Sequence, residues 1–118
     1  MGAQSKTTLA EIEVAATVYY NLNVHCTYVG WTDTDELQYV CTSKYFVDPT
    51  DGSDGLKDVC RAIFNSMRRG GVNPHSVLKE KNLRSMKVGD VVQFRYEDGI
   101  DTFALFRNGW RRISLSTD

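Results

Sequence analysis

All eight arginines of this 118-residue chain lie in its second half, between Arg61 and Arg112, and they carry most of its chemical potential. A planar guanidinium makes paired hydrogen bonds to phosphate and stacks on aromatic faces. Arg61, Arg68 and Arg69 share one segment with Asn65. Arg84 follows a short second segment, and Arg107, Arg111 and Arg112 bracket an Asn108-Gly109 pair. Phe94, Tyr96, Phe103, Phe106 and Trp110 are interleaved with them. Arginine beside an aromatic ring is the chemistry that holds a nucleotide, free or in a strand. The candidate ligand-binding set is Arg61, Asn65, Arg68, Arg69, Arg84, Phe106, Arg107, Trp110 and Arg111. In this reading Arg61, Arg68, Arg69, Arg107 and Arg111 take phosphates. Phe106 or Trp110 stacks on a base, and Asn65 reads a base or ribose edge. The same residues also read as a solvated polar face over an aromatic core.

Catalytic groups are not legible. There is no nucleophile elbow, zinc-protease motif or phosphate-binding loop, and no general base for nucleotide cleavage. The expectation is a binder, not an enzyme, with no cofactor. Cys26, Cys41 and Cys60 are odd in number, widely spaced and set in apolar patterns. Free thiols of a reducing, cytoplasmic compartment explain them best. His25 and His75 have no ligand spacing to any cysteine, so no metal site is expected. The loop carrying Asp48, Asp51 and Asp54 lacks the alternate spacing and terminal Glu of a calcium loop.

Charge is polarised. Residues 1–59 hold 9 acids and 3 bases, and residues 60–118 hold 6 acids and 11 bases. The basic half could face an anion, unless the halves interleave in space and neutralise each other.

The elements that must position these side chains follow from periodicity. Glu11 to Asn21 alternates, with Ile12, Val14, Ala16, Val18 and Tyr20 on one face, as a half-buried strand does. Val24 to Trp31 reads as a second strand and Leu37 to Val47 as a third, in an antiparallel meander. Leu56, Val59, Cys60, Ile63, Phe64 and Met67 form one helical stripe. Asp54 is the expected cap of that helix, and Gly70-Gly71 its stop. A short helix is expected from Pro74 to about Asn82, with Asn73 as N-cap and Val72 stapled onto Val77. Met86 to Tyr96 is a strand entered through Val88-Gly89-Asp90. The Glu97-Asp98-Gly99 turn leads to Thr102–Arg107, and Asn108-Gly109 predicts a type I′ hairpin into Trp110–Leu115.

The fold expected is α+β: an antiparallel sheet of about six strands, three before and three after the helices, with two helices packed on one face. Residues 1–10 read as a polar, disordered lead-in, and 11–118 are expected to form a single α+β domain. No apolar run spans a bilayer.

The segment Leu83-Arg84-Ser85-Met86-Lys87-Val88-Gly89-Asp90-Val91-Val92 resembles the R-S-[LM]-S-V-G-D-V-V signature of small phage and mobile-element proteins. As in those, a helix with a Phe64-Asn65 pair precedes it and Gly109-Trp110-Arg111-Arg112-Ile113 follows. The match covers about residues 55–115 and departs at Lys87, where the family usually has Ser. The resemblance implies a phage context in a host cytoplasm. Size, element order and the arginine/aromatic set are similar to the Thoeris anti-defence sponge proteins. What that likeness implies is sequestration, without cleavage, of a cyclic nucleotide immune signal, a cyclic ADP-ribose isomer or cyclic oligonucleotide. A homo-oligomer with a pocket at a shared interface would suit so small a chain. The alternative is an interaction module for a host protein or nucleic acid.

Overall fold

A computed structural model describes residues 11–97 and 99–115. The expected lead-in at 1–10 and the Asp98 position of the expected turn lie outside the described residues.

Strand β1 (Ile12–Asn21) forms where the sequence alternates. Val14, Ala16, Val18 and Tyr20 are at most 3% exposed, while Ile12 at the strand start is 38% exposed. Burying each large apolar side chain of this set contributes roughly 1.5–3 kcal/mol. β1 pairs directly with β2 (Leu37–Val47), antiparallel, from Ile12↔Val47 to Asn21↔Leu37. A bulge falls between Val18 and Tyr19, leaving Val40 without an opposite residue. The Lys81 ammonium donates to the carbonyl of Val40 at 2.7 Å.

The expected strand at Val24–Trp31 is not formed. That segment carries the short helix α1 (Cys26–Val29) inside one long β1–β2 connection. Side-chain hydrogen bonds of two asparagines outcompete the sheet here. Asn21 Oδ1 accepts from the Asn23 amide at 2.8 Å, and Asn23 Oδ1 accepts from the His25 amide at 2.9 Å. Asp35 closes the loop, with Asn21 and Asn23 side-chain amides donating to it at 2.8 Å each. The Thr32 amide and hydroxyl add two more donors at 3.0 Å. Burial alone would raise the Asp35 pKa, but these four donors more than offset it and hold the carboxyl below its ordinary value.

After a 3₁₀ turn (Pro49–Asp51) comes α2 (Gly52–Ser66). Its predicted stripe holds: Leu56, Cys60, Ile63 and Met67 are buried, with Val59 and Phe64 packed against them. Asp51 occupies the N-cap position, while Asp54 sits in the first turn. The helix ends at Met67, before Gly70-Gly71. Helix α3 is Ser76–Glu80, shorter than expected, and His75 caps it by accepting the Val77 amide on Nδ1 at 3.0 Å. An imidazole in this place displaces the expected Asn73–Pro74 start. Val72 is fully exposed and staples nothing.

Strands β3 (Val91–Tyr96), β4 (Gly99–Phe106) and β5 (Gly109–Ile113) complete one sheet, ordered β2-β1-β3-β4-β5 with every neighbouring pair antiparallel. Among the described residues the sheet therefore has five strands, not six. β2 and β3 flank β1 on either side, so α2 and α3 lie in a crossover between parallel strands. The core joins the Val14 face of β1 to Leu56, Cys60, Ile63, Val77 and Leu78 of the two helices, and to Phe94, Phe103 and Trp110 of the later strands. All three cysteines are free thiols, Cys26 and Cys60 buried and Cys41 partly so. Burial pushes the Cys60 thiol up to about 12. Among the described residues no helix is long and apolar enough to cross a membrane.

The last hairpin also differs from expectation. Phe106 pairs with Gly109, so Arg107-Asn108 are the two central residues. Neither has positive φ; Gly109, at +126°, is where the chain reverses hand. The turn is therefore not type I′, and β5 starts one residue early.

Candidate functional site

The hairpin register sets which cross-strand neighbours Trp110 and Arg111 meet. Side chains alternate along β5. Trp110, opposite Leu105, turns into the core and is 8% exposed, so it has no face to offer a ligand. Arg111 turns to the other face and stacks on Phe106, its guanidinium carbon 4.1 Å from the ring centroid. Arg107 and Asn108 are exposed at the tip, and Asn108 Oδ1 accepts from Arg111 at 3.4 Å.

Helix α1 supplies the opposite wall. Gly30, just past it, lies against Phe106 so closely that a Cβ would come within 2.6 Å of the ring. Between these walls is an open cleft of about 320 Å³ lined by Tyr28, Val29, Gly30, Phe106, Arg107, Asn108 and Arg111. It gathers two arginines, an amide and two aromatic rings, one of which already has a guanidinium over it. Such a set can bond an anion and stack a planar ring. Tyr28, Val29, Gly30 and Asn108 were not among the sequence candidates. Reading 24–31 as a strand hid the first three. The asparagines at 21 and 23, followed by Gly30, are the turn and stop signals that mark a loop there.

The remaining candidates stand elsewhere. Arg61, Asn65, Arg68 and Arg69 are exposed around the C-terminal half of α2 and the turn after it, and none of them lines this cleft. Arg61 pairs with Asp58 one turn before it. Arg69 donates from its backbone to Ser85 Oγ and from its guanidinium to the Leu83 carbonyl, each at 2.7 Å. Arg112 pairs with Asp101 and lies 5.4 Å over the Phe103 ring.

Arg84 is structural. It grips the fully buried Asp90 with both terminal nitrogens, at 2.8 and 2.9 Å, and donates to the carbonyls of Ser85 and Asn21 at 2.9 and 3.3 Å. It stacks 4.1 Å over the Tyr20 ring, whose hydroxyl donates to the Arg84 carbonyl at 2.8 Å. Burial pulls the Arg84 pKa down, but the Asp90 carboxylate more than offsets it and the net direction is up. Burial first, then Asp90, pushes Tyr20 up to about 12. The Arg-Ser…Gly-Asp segment is thus a rivet between β1, the α3–β3 loop and β3.

Among the described residues no three His, Cys, Asp or Glu side chains are grouped to hold a metal ion. Comparison with protein-family models, with curated proteins and with solved structures yields no match to this chain.

Proposed function

We propose that the chain binds a small nucleotide in the α1–hairpin cleft and sequesters it without chemistry. The observation that carries this is the Phe106–Arg111 stack at 4.1 Å, set beside Arg107 and across from Tyr28. A guanidinium already held over a ring has less rotamer freedom left to lose, and its N–H groups not directed at Asn108 can bond phosphate. Arg107 supplies a second cation, Asn108 a hydrogen-bonding amide, and Tyr28 a ring for a base. The ligand class that uses all four is a nucleotide with at least one phosphate. The resemblance at Arg84–Val92 supports a phage setting, in which a cyclic nucleotide immune signal is the natural object of sequestration and the host cytoplasm the place.

The test is incubation with a panel of cyclic nucleotides, removal of free ligand, heat release and mass spectrometry. The expected result is one intact ligand, retained at up to one per cleft. Arg107→Ala and Arg111→Ala should each weaken binding by about tenfold, one charge-assisted hydrogen bond each. Release of a hydrolysed product with turnover, or full binding by both variants, would sink this reading.

A second reading has its own observation. Leu22, Val24, Tyr28 and Val29 are 50–76% exposed on the segment that forms the cleft wall. Apolar exposure concentrated on one loop suits a host-protein partner. A partner that binds the Arg107→Ala variant normally but not Tyr28→Ala would favour it.

A further inference from the structure

The helices and the buried core occupy one face of the sheet. On the other face the α1 segment covers one end, over the fully buried Val91 and Ala104. Toward the opposite end of that face Lys44, Phe46, Arg95 and Ile100 are exposed. Register and alternation set two adjoining rows of side chains across the strands there. The inner row is Lys44, Ala15 and Arg95, from β2, β1 and β3. The outer row begins with Phe46 and Glu13, paired across β2 and β1, and ends at Glu97, just past β3. Glu13, Ala15, Lys44, Arg95 and Glu97 line one groove of about 940 Å³.

The two rows are opposite in sign. The inner one carries two cations and the outer one two carboxylates. Lys44 and Glu13 already touch at 3.3 Å, but both side chains are well exposed, and such a pair is weak enough to be shared with further charges. Arg95 and Glu97 are exposed, and neither has an ion-pair partner among the described residues. They stand about 7 Å apart, two residues along an extended chain. A surface built for a polyanion or a polycation would carry one sign of charge. Here a rotation of 180° about an axis between the rows, and parallel to them, exchanges acid for base. The face is therefore its own electrostatic complement, which is what an isologous contact requires.

We infer that this end of the sheet is a two-fold interface between two copies of the chain. Arg95 of one copy meets the partner's Glu97, and its Glu97 meets the partner's Arg95. Glu13 enters the space that Ala15 leaves between the partner's Lys44 and the partner's Arg95. Phe46, 66% exposed, lies along the aliphatic stem of the partner's Lys44. Ile100, half exposed, extends the contact on the β4 side. The overlap is confined to this end of the strands, so α1 does not obstruct it. Two large apolar side chains from each copy make a small contact, and the dimer is accordingly weak, dissociating in roughly the micromolar range or above. The α1–hairpin cleft lies at the other end of the strands and stays open in each copy, so the interface stands independently of what that cleft binds.

The experiment is sedimentation velocity of the full chain over a range of protein concentration and salt. Circular dichroism establishes that each variant is folded. A concentration-dependent dimer that weakens with added salt is expected. Arg95→Glu and Glu97→Arg should each lower self-association by about tenfold or more, because the two-fold makes every like-charge contact twice. An equimolar mixture of those two variants should dimerise again, since the acids of one then face the bases of the other. Phe46→Ala should weaken the dimer by about tenfold at a nearly unchanged salt dependence. Arg107→Ala, in the cleft, should dimerise like the parent. A chain that stays monomeric at roughly millimolar concentration and low salt overturns the interface. So do folded Arg95→Glu and Glu97→Arg variants that associate like the parent, or a mixture of them that stays monomeric. A dimer lost in Tyr28→Ala but kept in Arg95→Glu also overturns it, because the contact then runs through the α1 segment.

Discussion

Asp90 accepts four hydrogen bonds with no exposed surface: two from Arg84 and one each from the amides of Asn21 and Lys87, the latter two at 2.8 Å. A buried carboxylate is tolerable only when so fully paired. Asp90→Asn keeps the shape but removes the charge, and its amide nitrogen turns a donor toward groups that are already donors. The expected cost is on the order of 3 kcal/mol, the low end for a broken buried pair, because the Arg84 side chain stays 36% exposed. Urea denaturation followed by circular dichroism checks it, and a loss below about 1 kcal/mol would mean that water replaces the partner. The same reasoning removes Arg84 from the candidate ligand set: four of its five donors are already engaged.

At the scale of elements, the β4–β5 hairpin matters most, because its register sets which cross-strand neighbours its side chains meet. Gly109 is the residue at φ +126°, and no atom lies within 4 Å of where its Cβ would stand. Gly109→Val therefore meets backbone strain rather than a clash, and should cost about 1–3 kcal/mol. It should also weaken nucleotide capture, since the Phe106–Arg111 stack depends on that register. Arg111→Ala should leave the melting temperature nearly unchanged, because an exposed guanidinium adds little to folding. Calorimetry on the two variants separates these effects. If Arg111→Ala instead unfolds the chain, the stack is a structural feature and not a ligand device.

For the whole molecule, the long β1–β2 connection is what gives the sheet edge a cleft, and Asp35 holds that connection together. The folded-state pKa of Asp35 is depressed, so its contribution is fully present above the unfolded value of about 3.9 and is lost as pH falls through the folded value. Asp35→Asn should accordingly be less stable than the parent at neutral pH. The gap should close as pH drops below about 4, when the parent loses the same charge. Parallel denaturation curves across pH check this; a gap that persists unchanged in acid would show that the carboxylate charge is not what the four donors recognise.

Some of this was written in local pattern alone. The strict alternation of β1, the full extent of β2 at Leu37–Val47 and the apolar stripe from Leu56 to Met67 each follow from a period that one element satisfies by itself. The α+β class and the antiparallel sheet follow from those elements and their order. Local pattern failed where the deciding partner was distant or of another kind. Val24–Trp31 has strand-like composition, yet Asn21, Asn23 and Asp35 bind its flanks more effectively than a neighbouring strand could. Arginines near Phe106 and Trp110 were legible as a group, but not which ring faced out. The one-residue move of the turn changes cross-strand partners by two and leaves each side chain on its face, so it was the packing of the core against Trp110, and not the turn, that decided which ring is buried. Arg84 looked like its fellows, and only the fold brought Asp90, Tyr20 and the Asn21 carbonyl around it. Residue type and spacing thus determined what chemistry the chain carries and which segments are regular. Which of those groups are used in holding the fold, and which remain free for a ligand, was decided by contacts between residues far apart in the chain.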